Sequence, residues 1–211
     1  MKIDGIKPYC VNACVGYKFK VLSEMDNLKK YIATITDFSE HCWITLSNCL
    51  TEIEFKRNEM VLKEGQVCNS IYYISSGLCK SCYNLDGKEI NTAFYFENDF
   101  ATNIKSLTTS SKSLYTIKAC EKTKIVQLDK TKLLEAYSKS HQIETFGRKV
   151  LEIIMAKQEE HSDSFKILTP KERFDNLVSK HPDFLKRVSL TQTASYLGIS
   201  RETLSRFRAV K

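Results

Sequence analysis

Three charged residues near the carboxyl end of the chain, Arg201, Glu202 and Arg206, have side chains that can distinguish the base pairs of DNA. An arginine donates two parallel hydrogen bonds to O6 and N7 of guanine, and a glutamate accepts one from N4 of cytosine. If the segment is helical, Arg206 lies four or five positions beyond the other two residues and shares their face. The spacing therefore predicts a helix that contacts base edges.

Short hydroxyl side chains flank this helix. Ser189, Ser200 and Thr203 suit contacts with phosphate oxygens, which fix the register of a protein on DNA without reporting the base sequence. We expect these three residues to contact phosphates.

The surrounding residues predict two short helices joined by a tight turn. Ser189 is a suitable N-cap, and Gln192 completes a capping box three residues later. Gly198 provides the backbone freedom that the turn requires, and Ser200 caps the second helix. Small and apolar residues hold the two helices together: Ala194, Leu197, Ile199, Leu204 and Phe207. This pattern predicts a helix-turn-helix, whose second helix enters the major groove.

The run Ser200-Arg-Glu-Thr-Leu-Ser-Arg206 resembles the recognition helix of the Crp/Fnr family of bacterial transcription regulators. The resemblance implies that Arg201, Glu202 and Arg206 contact bases. It also implies a cyclic-nucleotide-binding-like β-roll, a dimerisation helix and a C-terminal winged helix-turn-helix. The partners it implies are a second copy of the chain, a pseudo-palindromic DNA site, a small-molecule effector and RNA polymerase. Too few residues follow Arg206 for the usual β-hairpin, so we expect a helix-turn-helix without a full wing.

The middle of the chain predicts β structure. Short alternating runs recur at about ten-residue spacing and are separated by Gly65, Gly77 and Asp86-Gly87. The predicted strands lie in the ranges 59–65, 70–77, 78–87, 89–96, 114–119 and 124–128. We therefore predict an α+β protein with a cupin-like double-stranded β-helix, or jelly roll.

The phosphate-binding residues of the family's cyclic nucleotide sensors are not matched. A gapless comparison places their glycine at Thr102, their glutamate at Asn103, their arginine at Ser113 and the following Ser/Thr at Leu114. None of these four residues provides the chemistry of the residue it replaces. We expect a degenerate pocket that does not bind cyclic AMP in the family's usual manner.

An apolar stripe in the range 141–162 predicts an amphipathic helix between the two domains. Its residues are Ile143, Phe146, Val150 and Ile153, at helical spacing. Such a stripe can pair two subunits or pack on its own β-roll, and the sequence is compatible with both. The resemblance favours a homodimer interface.

The predicted domains are an N-terminal extension at 1–24, a sensor at 25–140, a dimerisation helix at 141–162 and a DNA-binding domain at 163–211. Met25 is the expected helical start of the sensor, and the extension is either a flexible segment or the result of a start codon assigned too early. Residues 163–168 are expected to form a hinge. A further helix is predicted from Thr169-Pro170, with Glu172 completing its capping box and His181-Pro182 ending it.

The eight cysteines do not form a strong metal-binding pattern. Cys10 and Cys14 lack further closely spaced ligands, and Cys79 and Cys82 would point to opposite faces of a strand. No metal or cofactor is predicted, and the sequence does not say whether any cysteine is redox-active.

The charge distribution supports DNA binding. Of the net charge of +7, the range 166–211 contributes most, with 10 Lys/Arg and 4 Asp/Glu. DNA-binding segments need such an excess to neutralise phosphates. The chain has no apolar run long enough to span a membrane and no signal-peptide core, so we expect a cytoplasmic protein without enzymatic activity. The alternatives are a ligand- or redox-sensing module whose helix-turn-helix contacts proteins, and an enzyme on a cupin-like barrel.

Overall fold

The computed structural model describes the backbone of residues 15–209 and the side chains of residues 24–209. Its centre is a β-roll of two four-stranded antiparallel sheets, with strand orders β1-β8-β3-β6 and β2-β7-β4-β5. The strands are β1 (Leu50–Phe55), β2 (Met60–Leu62), β3 (Ser70–Ser76), β4 (Cys79–Leu85), β5 (Lys88–Tyr95), β6 (Phe100–Ala101), β7 (Thr116–Ala119) and β8 (Thr123–Asp129). Each of the six predicted strand ranges overlaps one of these strands. Strands β1 and β6 were not predicted.

Helices precede the β-roll in the chain, interrupt it once and follow it. They are α1 (Val15–Ile35), α2 (Glu40–Ser47), α3 (Ile104–Thr109), α4 (Lys130–Lys139), α5 (His141–Ile167), α6 (Pro170–Lys180), α7 (Phe184–Arg187), α8 (Leu190–Leu197) and α9 (Arg201–Ala209). The fold is therefore a mixed α+β arrangement around an antiparallel β-roll. None of the described helices has the length and apolar character needed to cross a membrane.

Turn glycines behave as their positions predict. Gly77, between β3 and β4, has a φ of +91°, and a Cβ built there would lie 2.6 Å from Thr123 Oγ1 and 2.7 Å from the Lys122 carbonyl. Only glycine combines this backbone conformation with so close an approach of two segments.

The predicted boundaries at the chain's front and at the hinge are wrong. Helix α1 begins at Val15 rather than Met25, so the boundary between 24 and 25 falls inside a helix. Residues 1–14 lie outside the described part of the chain. The expected hinge at 163–168 is also helical up to Ile167, because α5 continues through it and ends only at the cap residue Leu168.

The apolar stripe of α5 packs on its own β-roll. Ile143, Phe146 and Val150 are at most 1% exposed and belong to a core shared with α1, α2, α4 and one sheet. Ile154 completes this buried face, whereas Ile153 is only partly buried. The assignment of Ile143, Phe146 and Val150 to a dimer interface is therefore wrong, because these three residues are inaccessible to a second subunit. The assignment of Ile153 stays a prediction.

Candidate nucleic-acid interface and sensor cavity

Helix α8 has the two ends that the sequence predicts. Ser189 accepts a hydrogen bond from the Gln192 amide, and the Gln192 side chain completes the capping box. Gly198 closes the helix in the left-handed conformation, with a φ of +68°. The three-residue turn Gly198-Ile199-Ser200 then leads directly into α9, and Ala194 and Leu204 are buried between the helices.

Helix α9 presents the predicted base-contacting residues to solvent. Arg201, Glu202 and Arg206 are all exposed, while Leu204 of the same helix is completely buried. The pKa of the Glu202 carboxyl lies below its ordinary value, because the carboxylate accepts hydrogen bonds from its own backbone amide and from Ser200. The helix therefore offers two cationic donors and one anionic acceptor on an accessible surface.

The predicted phosphate-contacting hydroxyls have structural roles. Ser200 Oγ accepts from the Thr203 amide at 3.1 Å and so caps α9. Ser189 Oγ donates to Gln192 Oε1 at 3.2 Å. Thr203 Oγ1 accepts from Arg206 at 3.2 Å, which steadies that guanidinium. To donate to a phosphate oxygen, the Ser189 hydroxyl would have to break its hydrogen bond to Gln192 Oε1.

Three of the four predicted pocket residues are buried together near α3. Asn103 caps α3 and donates to Ser113 Oγ at 2.8 Å. Thr102 donates to the Ser70 carbonyl at 2.9 Å. Leu114 is 62% exposed, so its assignment to the pocket is wrong.

A cavity of about 750 Å³ begins at Thr102 and Tyr115 inside the β-roll and extends along α5 to α6 and α8. It is lined by residues of both the β-roll and the C-terminal helices. Sequence reasoning did not find this cavity, because it depends on how the C-terminal helices pack.

Helix α8 lies against strand β5, which is the edge strand of its sheet. Ser195 Oγ accepts from the Asn91 amide at 3.0 Å and donates to the Glu89 carbonyl at 3.2 Å. Asn91 Nδ2 donates to the Gln192 carbonyl at 3.3 Å. We call Glu89, Asn91, Gln192 and Ser195 the α8–β5 contact. These bonds occupy backbone groups that a further strand would otherwise bind.

Aromatic and charged side chains extend this contact. Phe94 packs edge-to-face on Phe184, with ring centroids 4.9 Å apart. Arg187 of α7 binds Glu97 at 2.8 Å and Glu121 at 2.6 Å. The C-terminal helices are thereby fixed to the β-roll by apolar, polar and ionic interactions.

An ion-pair network lies in β4, β5 and β7. Lys80 is 1% exposed and binds Glu89 at 2.6 Å, and Lys118 binds the same carboxylate. Burial opposes ionisation of Glu89, but the hydrogen bonds from Lys118 and Lys80 lower its pKa overall. The buried Lys80 ammonium is therefore compensated within the chain.

The six cysteines of the described side chains are buried and free. Burial raises the pKa of the Cys79 and Cys82 thiols, and that of Cys120 to about 11. These groups are neutral thiols near pH 7, which makes them poor nucleophiles and poor redox sensors. Within the described residues, no group of three or more His, Cys, Asp or Glu is arranged to hold a metal ion. Cys10 and Cys14 lie outside those residues.

Comparison with known proteins agrees with this architecture. Residues 52–140 match the model of the cyclic nucleotide-binding domain. FixK2 from Bradyrhizobium japonicum has a TM-score of 0.63 and 20% identity, over 76% of this chain and 83% of that one. CLP from Xanthomonas campestris, a global regulator responsive to c-di-GMP, has a TM-score of 0.64 and 13% identity, over 82% and 91%.

A chain from Eubacterium rectale described as a Crp/Fnr-family transcriptional regulator has a TM-score of 0.62 and 15% identity, over 82% and 83%. No curated protein sequence matches the chain. At these identities the similarity concerns the fold. Residues 52–140 are therefore similar to a cyclic nucleotide-binding domain, and the structural neighbours include a Crp/Fnr-family regulator.

Proposed function

We propose that this protein is a sequence-specific DNA-binding transcriptional regulator of the Crp/Fnr type. The observation that carries the proposal is the exposure of Arg201, Glu202 and Arg206 on one capped helix after a tight turn. This helix-turn-helix places base-reading chemistry on the helix that enters the major groove. The neighbouring folds and the basic C-terminal range support the same function.

The protein acts as a homodimer, so that two α9 helices contact two halves of a pseudo-palindromic site. Helix α5 offers a second apolar face for this purpose, beside its buried stripe. Leu151 is 36% exposed and Met155, one turn later, is 64% exposed. These two residues replace the predicted stripe as the proposed centre of the subunit interface.

Regulation involves a small-molecule effector rather than cyclic AMP bound in the usual manner. Asn103 and Ser113 stand where the comparison with cyclic nucleotide sensors expects a glutamate and an arginine, and they bond to each other. RNA polymerase and a cytoplasmic location belong to the same proposal.

The test is a set of binding isotherms on a selected cognate duplex and on a scrambled duplex at fixed salt. Arg206→Ala removes a bidentate donor worth about 1–3 kcal/mol per half-site, so it should weaken the cognate duplex far more than the scrambled one. Ser200→Ala removes both the predicted phosphate contact and the cap of α9, so it should weaken binding to both duplexes. Arg57→Ala, an exposed change in the sensor, is the matched control.

Equal losses on both duplexes after Arg206→Ala would show that α9 is not the reading helix. A chain that binds no duplex selectively, yet binds a protein through α8 and α9, would favour the alternative of a sensing module with protein contacts.

A further inference from the structure

The cavity between the β-roll and the C-terminal helices has walls rich in aromatic side chains. Strand β5 supplies Phe94 and Tyr95, α5 supplies His161 and Phe165, and α8 supplies Tyr196. Its volume of about 750 Å³ falls within the range of pockets that enclose small organic ligands.

Four of these rings contact one another, and two of the four are stacked. His161 and Tyr196 lie nearly parallel, with centroids 5.0 Å apart and an interplanar angle of 12°. The Tyr196 hydroxyl is 3.3 Å from His161 Nδ1. Phe165 meets His161 edge-on at 5.1 Å, and Phe94 meets Tyr196 edge-on at 5.1 Å. Such surfaces favour a planar aromatic guest through offset or edge-to-face contacts.

The basic side chains of the wall have partners within the chain. Lys157 pairs with Asp99, and Lys180 pairs with Glu160. A phosphate group entering the cavity would have to displace these acids from the lysines.

Arg173, a further basic residue of the wall, donates hydrogen bonds within the chain. Its two terminal nitrogens donate to the Leu168 carbonyl at 2.8 Å and to the Leu197 carbonyl at 3.0 Å, whereas its buried Nε has no hydrogen-bond partner. Its guanidinium covers the Phe165 ring, 4.4 Å from the centroid. The bond to the Leu197 carbonyl therefore joins α6 to the end of α8.

We propose that this cavity binds a planar aromatic molecule that lacks a phosphate group, and that the ligand contacts β5, α5 and α8 at once. Because α8 belongs to the helix pair that reads DNA, occupancy stabilises the docked position of that pair. This consequence rests on the proposed function, whereas the binding itself does not.

The probes are 2-naphthol and 2-naphthyl phosphate, which share one ring system and differ in charge. Calorimetric titration of the full chain should give one saturable 2-naphthol site per chain. The phosphate should bind at least about tenfold more weakly. Hydrogen exchange in α8 and β5 should slow when 2-naphthol is bound.

Two matched variants locate the site. Phe165 is 42% exposed, so Phe165→Leu removes a ring of the wall with little damage to the core, and it should weaken 2-naphthol binding at least about fivefold. Phe38→Leu removes a ring that packs on Phe146, away from the cavity, and should leave binding unchanged.

No saturable 2-naphthol binding, tighter binding of the phosphate, or equal losses in the two variants would overturn the proposal. These measurements contain no DNA. A chain that binds 2-naphthol but no DNA would refute only the proposed function, and a chain that binds DNA but not 2-naphthol would refute only this site.

Discussion

The side-chain amide of Asn103 donates to the hydroxyl of Ser113 at 2.8 Å, and that hydroxyl donates onward to the carbonyl of Tyr115 at 2.6 Å. Both residues are buried, at 6% and 1% exposure. Asn103 Oδ1 also accepts from the Ser106 amide at 3.1 Å. A chain of satisfied hydrogen bonds thus occupies positions where a nucleotide sensor would present a carboxylate and a guanidinium.

Cyclic AMP and cyclic GMP should not bind in the micromolar range. Neither Asn103 nor Ser113 carries a positive charge, and both would have to break existing bonds to contact a phosphate or ribose. Calorimetric titration measures this, with an established cyclic AMP receptor as a control for the nucleotide stocks. A saturable site at micromolar nucleotide would contradict it.

Replacing Leu151 and Met155 by Glu should give a folded monomer. The double change places like charges across the proposed two-fold axis, where they repel and lose hydration. Light scattering would report the mass, and circular dichroism would report the fold. An unchanged dimer would place the interface elsewhere.

Val150→Glu changes the buried face of α5, whereas the Leu151 and Met155 double variant changes the exposed face. Val150 is 1% exposed inside its own chain, so a carboxylate there should destabilise the fold by several kcal/mol, whatever the oligomeric state. A lower denaturation midpoint for this variant, together with a normal midpoint for the Leu151 and Met155 pair, would separate the two faces of α5.

Ser195→Ala should loosen the α8–β5 contact. The change leaves the Asn91 amide without the acceptor it has at 3.0 Å, at a cost of about 1–2 kcal/mol. Hydrogen exchange of the Asn91 amide should accelerate. Thr191→Ala, an exposed change on the same helix, should have no such effect. Equal protection of Asn91 in both variants would indicate that Ser195 does not hold the contact.

Stability should decline as the pH falls below about 6.5, the ordinary pKa of histidine. Burial, followed by the charge of Arg173, lowers the pKa of His161, which also faces Tyr196 and Phe165. Burial lowers that of His181 as well, with Lys157, Lys180 and Arg187 acting in the same direction and Asp99 opposing them.

The sign follows from proton binding. Between the lowered folded pKa and the ordinary value, the unfolded chain binds more protons, so the free energy of unfolding rises with pH in this window. Chemical denaturation across this pH window should show a smaller decline in the free energy of unfolding for the double variant His161→Gln/His181→Gln than for the parent protein. His141→Gln, at an 89% exposed side chain, should behave like the parent. Identical slopes in all three proteins would contradict the assignment.

The C-terminal helix pair could be predicted from local signals. Capping at Ser189, the left-handed turn at Gly198 and the alternation of buried and exposed residues in α9 are encoded within a few residues of one another. The structure reproduces each of them. The exposed positions of Arg201, Glu202 and Arg206 follow directly from that pattern.

The two sides of α5 could not be assigned from the sequence. An apolar stripe reports that a helix face is covered, but it does not identify the covering surface. Phe146 meets Phe38 and Phe100, residues far away in the chain, and only the tertiary arrangement brings them together. Strand β6, with two residues, is too short to carry any periodic signal.

The α8–β5 contact has a consequence for the solubility of the chain. When α8 leaves, the edge of Lys88–Tyr95 presents bare amides and carbonyls, beside the apolar ring of Phe94. An uncovered edge of this kind recruits strands from other molecules and promotes aggregation. A fragment of the chain that ends before α6 would expose that edge permanently. The C-terminal helix pair therefore also shields this edge of the sheet from self-association, and a truncation that removes the pair exposes the edge.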